Sequence, residues 1–205
     1  MKPLKDRDLA TFFDECAHNG YMASFLPEDE PKVEELIQRW AITPGSRVLE
    51  PGCGSGRLTD RLSAAVGTDG AVYATDLSPE MIRCARERKL PEQVRLFQGS
   101  AERIQADDGF FDMAILFCVF PHFSNQARTL DEINRVLKPN GSLWINHLKD
   151  SRTLNETHRD VSKITIAHHL AGIDEMKNLL SEHGFTVTEF LDSLETGYSV
   201  SAEKY

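Results

Sequence analysis

The chain has 205 residues, 40% of them hydrophobic and 27% charged, with a formal net charge of −9. That size suits one globular domain with a real core. An acidic chain without a Lys/Arg run is a poor partner for phosphate backbones or anionic membranes, so nucleic acid and membrane surfaces are set aside. No apolar run approaches the roughly 20 residues of a bilayer-spanning helix. The first residues, MKPLKDRDLATFFDE, lack the apolar stretch of a signal peptide, and a cytoplasmic location is expected. Cys16, Cys53, Cys84 and Cys118 are widely spaced with no CxxC, which reads as free thiols.

In chain order, residues 1–40 read as a helical cap. Val33, Leu36, Ile37 and Trp40 recur at helical spacing, with acids at 28–30 and Pro31 suited to a helix start and Thr43-Pro44-Gly45 to its stop. Strands and helices then alternate. Strands are expected at 47–50, 71–75, 94–97, 113–117 and 142–146. Helices are expected at 57–66, 78–88 (capped by Ser78) and 125–137. A turn is expected at 138–141. A helix at 173–183 and strands at 185–190 and 198–203 close the pattern. Regular β/α alternation implies a mostly parallel sheet with helices on both faces. The expected organisation is one domain: a cap at 1–40, a core at 41–146, and a substrate-side lid with closing strands at 147–205. Ligands of such sheets bind outside the carboxyl ends of the strands, at the switch point.

Directly after the first strand stands Val48-Leu-Glu-Pro-Gly-Cys-Gly-Ser-Gly56. The spacing is E-x-G-x-G-x-G. The dinucleotide pattern G-x-G-x-x-G fails from either starting glycine, because Arg57 or Thr59 stands where the third glycine belongs. A carboxylate at the mouth of a glycine loop repels phosphate and attracts a cation. About 20 residues on, Ala71-Val-Tyr-Ala-Thr-Asp76 ends in an acid placed to accept two ribose hydroxyls.

Leu49-Glu-Pro-Gly-Cys-Gly-Ser-Gly-Arg57 resembles the first motif of class I S-adenosylmethionine-dependent methyltransferases. Asp76-Leu-Ser-Pro-Glu-Met81, Phe97-Gln-Gly-Ser-Ala-Glu102, Phe111 to His122, and Glu132-Ile-Asn-Arg-Val-Leu-Lys-Pro-Asn-Gly141 resemble its later motifs. The resemblance runs from about Trp40 to Asn146. It implies a Rossmann-like, seven-stranded, mostly parallel sheet flanked by helices, with an N-terminal helical cap. It also implies S-adenosyl-L-methionine as cofactor, with Glu50, Gly52, Cys53, Gly54, Gly56, Asp76, Leu77, Met81, Ser100, Ala101, Glu102 and Phe117 at its site. In the family an acid meets the adenine amino group where this chain has Ser100, a departure. The Glu132 to Gly141 stretch is a structural helix and turn.

The acceptor is expected to be a small molecule, and the protein a monomer or homodimer. The sequence after strand four, Cys118-Val-Phe-Pro-His122, lacks the motif of DNA amino-methylation; arsenite is disfavoured by dispersed cysteines. His122 and His147, just past strands four and five, are the candidate catalytic residues. A lid carrying His158 and His168 or His169 with them would make a base or a metal site, but no metal is assigned. The stretch from Phe12-Phe13 through Tyr21-Met22 is the candidate second wall of the pocket; the alternative is that Phe12, Phe13 and Phe25 only complete the core. Two other readings stay open: a binder or sensor that keeps the cofactor site without turnover, and an NAD-dependent oxidoreductase, against which Glu50 and Arg57 both argue.

Overall fold

The computed structural model describes residues 6–20, 23–161 and 169–205. Two helices come first: α1 (Asp6–His18) and α2 (Glu30–Trp40). Five strands and three α-helices follow in the order β1 (Arg47–Pro51), α3 (Arg57–Val66), β2 (Ala71–Asp76), α4 (Pro79–Glu87), β3 (Val94–Gln98), β4 (Phe111–Phe117), a 3₁₀ turn (Phe120–His122), α5 (Gln126–Val136) and β5 (Leu137–His147). The remainder is α6 (Ser151–Val161), α7 (Ile173–Glu182), β6 (Phe185–Ser193) and β7 (Gly197–Lys204). The seven strands form one sheet in the order β3-β2-β1-β4-β5-β7-β6. β1 to β5 pair in parallel, and β7 runs antiparallel between β5 and β6.

The sheet has a core on each face. Successive strand residues point to opposite sides, so Val48 and Ile115 join one core while Leu49, Ala114 and Leu116 join the other. On the first face lie Val33, Leu36 and Trp40 of α2 with Leu58, Leu62 and Val66 of α3. On the second lie Leu130, Ile133 and Val136 of α5 with Met176 and Leu180 of α7. Each such buried side chain contributes about 1.5–3 kcal/mol of apolar transfer. A buried polar relay ties distant elements together. The Trp40 indole N–H donates to Asn146 Oδ1 (3.0 Å), and Asn146 Nδ2 donates to Ser199 Oγ (2.8 Å).

Most expected elements form where the sequence places them. The turn expected at 138–141 does not: β5 begins at Leu137, which pairs with Phe111 before a register shift carries the ladder on from Met113 and Ser142. Asn140 takes φ 60° and Gly141 follows, so the turn-forming residues make an irregularity inside a strand. α2 stops at Ala41, which is left-handed at φ 46°, before Thr43 is reached. The polar stretch after β5 contains helix α6. Among the described residues no helix is long and apolar enough to cross a membrane.

Candidate cofactor and acceptor cleft

The strand order reverses at β1, which stays paired with β2 to its end at Pro51 and Thr75 but with β4 only as far as Leu49 and Ala114. A cleft of about 1010 Å³, its open mouth included, lies there. Its walls hold Glu50, Gly52, Cys53, Gly54, Asp76, Leu77, Met81, Ser100, Ala101, Glu102 and Phe117. They also include Asp6, Leu9, Phe13, Val119, His122 and Ser124.

The glycine loop is laced to the end of β2. The Gly52 and Cys53 N–H groups both donate to the Thr75 carbonyl (2.7 and 2.9 Å), and the Gly54 N–H donates to Asp76 Oδ2 (2.8 Å). Gly52 has φ +74°, and a Cβ there would stand 2.3 Å from Val119 Cγ2. Only glycine lets the loop and the chain after β4 close against each other. Gly56 is not among the residues lining the cleft. It caps α3 at φ +79°, and a Cβ there would press on Ala85 of α4 at 3.2 Å, so its place is helix packing.

Glu50 is 2% exposed, and its Oε2 accepts from the Thr59 hydroxyl at 2.6 Å. Burial pushes its carboxyl up to about 8, against the Thr59 bond that lowers it; the Asp76 charge raises it further and Arg57 lowers it. Asp76 is pushed up to about 6, again mainly by burial, against the N–H groups of Ser78 and Gly54 that bond its carboxylate. Both its oxygens are engaged by the backbone, and each keeps a lone pair for a ligand hydroxyl.

Directly after β4, Cys118 takes φ +56°, a conformation costly for a residue with a side chain. Its N–H is held by the Asn146 carbonyl at 2.8 Å. That bend sets Val119 over Gly52 and starts the turn that carries His122 to the cleft, where its ring meets Phe13 edge-on at 5.6 Å. His147 is not among the cleft-lining residues. It is 3% exposed, pairs across the ladder with Tyr198 and meets that ring edge-on at 6.3 Å, so burial under the β5–β7 pairing removes it from the reacting end.

The roof is α1, fixed by partners remote in the chain. Asp14 Oδ1 accepts from the Ser78 hydroxyl (2.5 Å) and the Glu80 N–H (3.3 Å), at the N-terminus of α4. Asp6 Oδ1 accepts from the Ser124 hydroxyl (2.6 Å), just before α5. Arg57 completes the entrance, its guanidinium 4.5 Å from the centroid of Phe25 and donating to the Ser24 carbonyl at 3.2 Å. Phe12 stacks edge-on with Phe13 at 5.3 Å. Tyr21, Met22, His168 and the His158 side chain lie outside the described residues, and His169 is exposed. Among the described residues no three His, Cys, Asp or Glu side chains are grouped to hold a metal, and all four cysteines are free.

Glu50 and Asp76 put two buried carboxyls in the cleft, a lining suited to a ligand that bears a cation and hydroxyls. Glu50 offers a buried carboxyl, the Gly52 cradle admits close backbone approach, and the hydroxyls of Thr75 and Thr129 are buried without a partner.

Comparison with known proteins agrees. Residues 49–145 match the family described as "Methyltransferase domain". A ubiquinone/menaquinone biosynthesis C-methyltransferase of Coxiella burnetii is 31% identical over 122 residues, which is 53% of this chain and 49% of that protein. An arsenite methyltransferase of Halobacterium salinarum is 28% identical over 166 residues, 78% of this chain and 42% of that protein. The chain thus spans about half the length of the curated relatives it matches. In the solved complex between the Haloferax volcanii Trm112 methyltransferase activator and a putative methyltransferase, one chain superposes with a TM-score of 0.76. That match covers 94% of this chain and 96% of the other at 19% identity, a likeness of fold. Residues 49–145 thus match a methyltransferase domain, and the seven-stranded sheet has the class I S-adenosylmethionine-dependent methyltransferase fold, whose cofactor is S-adenosylmethionine.

Proposed function

We propose that this chain transfers a methyl group from S-adenosylmethionine to a small-molecule acceptor, releasing S-adenosylhomocysteine. The observation that carries the reading is a single cleft joining Glu50 and Asp76 to His122 and Ser124, with α1 across it. In this reading Glu50 faces the ammonium and sulfonium end, and Asp76 accepts the ribose hydroxyls. Leu77 and Met81 flank the adenine, Ser100 to Glu102 border its edge, and Gly52, Cys53 and Gly54 present backbone. The cofactor supplies an electrophilic methyl carbon on a sulfonium. The chain's work is to hold the acceptor in line at about 3 Å, to exclude water, and to remove a proton where the acceptor atom carries one. This reading gives that last step to His122; its support is that His122 lines the cleft and His147 is not among the lining residues. Cys53 and Cys118 also line the cleft, but burial pushes both thiols up and keeps them protonated, which suits neither an arsenite acceptor nor a thiolate nucleophile.

Parallel calorimetric titration with S-adenosylmethionine, S-adenosylhomocysteine and NAD tests the cofactor half. Micromolar binding of both adenosyl ligands and none of NAD is expected. Binding of NAD alone would sink the reading. Release of S-adenosylhomocysteine in the presence of a metabolite pool, lost in His122→Ala with unchanged cofactor affinity, separates an enzyme from a binder.

A further inference from the structure

The departure at Ser100 leaves open which group reads the adenine amino group. Ser100 Oγ already accepts from the Glu102 N–H at 3.3 Å, closing a local turn. The loop it begins is gripped by one face of α5. Arg128 pairs with Glu102 at 3.7 Å, Glu132 accepts from the Ile104 N–H at 2.7 Å, and Arg135 donates to the carbonyls of Ile104 (3.0 Å) and Ala106 (2.9 Å). Thr129 is next to Arg128 on that helix and lines the same cleft as Ser100, Ala101 and Glu102. It is 0% exposed, and its Oγ1 has no hydrogen-bond partner. A helical threonine ordinarily turns its hydroxyl to the carbonyl one turn back. Here the Asn125 carbonyl receives the Thr129 N–H at 3.0 Å and not the hydroxyl. Leaving a hydroxyl buried and unpaired is unfavourable unless a ligand completes it.

We propose that Thr129 Oγ1 accepts the hydrogen bond from the exocyclic amino group of the cofactor's adenine, taking the place of the acid that Ser100 replaces. The inference rests on the cofactor reading above. It also changes specificity. A carboxylate only accepts, and so rejects a purine carrying a carbonyl at that position. A hydroxyl turns to donate or accept. This chain therefore tolerates the 6-oxo analogue.

The test is calorimetry of the full chain with S-adenosylhomocysteine and S-inosylhomocysteine, for wild type, Thr129→Val and Thr75→Val, with a melting curve of each protein without ligand. Thr75 is the comparator, because its Oγ1 is also unpartnered in the cleft. Thr129→Val should weaken S-adenosylhomocysteine by about fivefold, the size of one net hydrogen bond, and leave the ligand-free melting temperature equal or higher. Wild type should hold the inosyl ligand within about tenfold of the adenosyl one. Unchanged affinity in Thr129→Val, loss in Thr75→Val alone, or strong wild-type rejection of the inosyl ligand overturns the proposal. So does a melting temperature lowered by several degrees, which would mark a structural bond. Wild type binding neither ligand would overturn the cofactor reading itself, a different result from an indifferent Thr129.

Discussion

On the proposed function the cleft has a cofactor half and an acceptor half, and the two are built by different means. The cofactor half is largely backbone: three amides of the 52–54 loop are tied to Thr75 and Asp76, on strands that pair over five residues. The acceptor half is side chain: Phe13 against His122, Val119, Ser124, and a roof helix held by carboxylates from Asp6 and Asp14. Backbone geometry is set by the sheet and survives sequence change; a wall of side chains on a lid is re-cut by single substitutions. A family that keeps one cofactor and varies its acceptors is expected to divide its site this way.

The sharpest way to break that contrast is Gly52→Ala. The added methyl meets Val119 at 2.3 Å in a left-handed backbone, so a loss of about 2–3 kcal/mol and of cofactor binding is expected. Thermal melts and calorimetry read both. Adding Val119→Ala should return the steric share and leave the backbone share. A Gly52→Ala protein with wild-type affinity would show that the loop is not what shapes the cofactor half.

Glu50 gives the next effect, through pH. Its carboxyl sits near 8 in the folded chain against an ordinary 4.5, so the folded protein holds that proton more tightly than the unfolded chain. That contribution to stability is complete below about 4.5 and is lost as pH rises towards about 8. Asp76 adds the same sign between 3.8 and about 6. A cationic ligand reverses the preference, so cofactor affinity should climb over the upper part of this range and binding should release protons, seen as a heat that varies with buffer ionisation. Glu50→Gln should flatten the stability slope and weaken the cofactor at least tenfold, on the order of 1.4 kcal/mol. A flat affinity profile with no proton release would place the cation elsewhere.

Asp14→Asn is the mildest. Removing the charge at the N-terminus of α4 should cost about 0.5–1 kcal/mol. It should speed proteolysis within α1 and quicken cofactor release a few-fold, with little change in the melting of the core. Unaltered release kinetics would mean that α1 does not gate the cofactor half.

Sequence reading succeeded where chemistry is local. The glycine loop, the bounds of α3 and the cap Ser78 follow from residues a few positions apart, as the cap's bond to the Met81 N–H confirms. It failed where partners are remote. Pro139-Asn-Gly141 has turn chemistry, yet pairing with β4 draws it into β5. His147 has the position of a functional residue at a strand end, yet pairing with β7 buries it against Tyr198. Asp14 looks like one more surface acid of an amphipathic helix; that it caps a helix 64 positions away appears only in three dimensions. Thr129 carried a faint signal, a polar residue among Leu130, Ile133 and Val136 on the buried side of α5.

The placement of β7 bears on how the site is assembled. Of the described strands it comes last in chain order, yet it lies inside the sheet, and its Ser199 receives the relay from Trp40 through Asn146. The Asn146 carbonyl also pins the bend at Cys118 that brings Val119 onto Gly52. A chain emerging from the ribosome holds the whole glycine loop and both of its flanking strands long before this brace exists. The early segment is then committed to long-range closure, a slow and aggregation-exposed route. The mouth of the cleft is therefore braced by a strand far from it in sequence, Gly197–Lys204, held between its two neighbours.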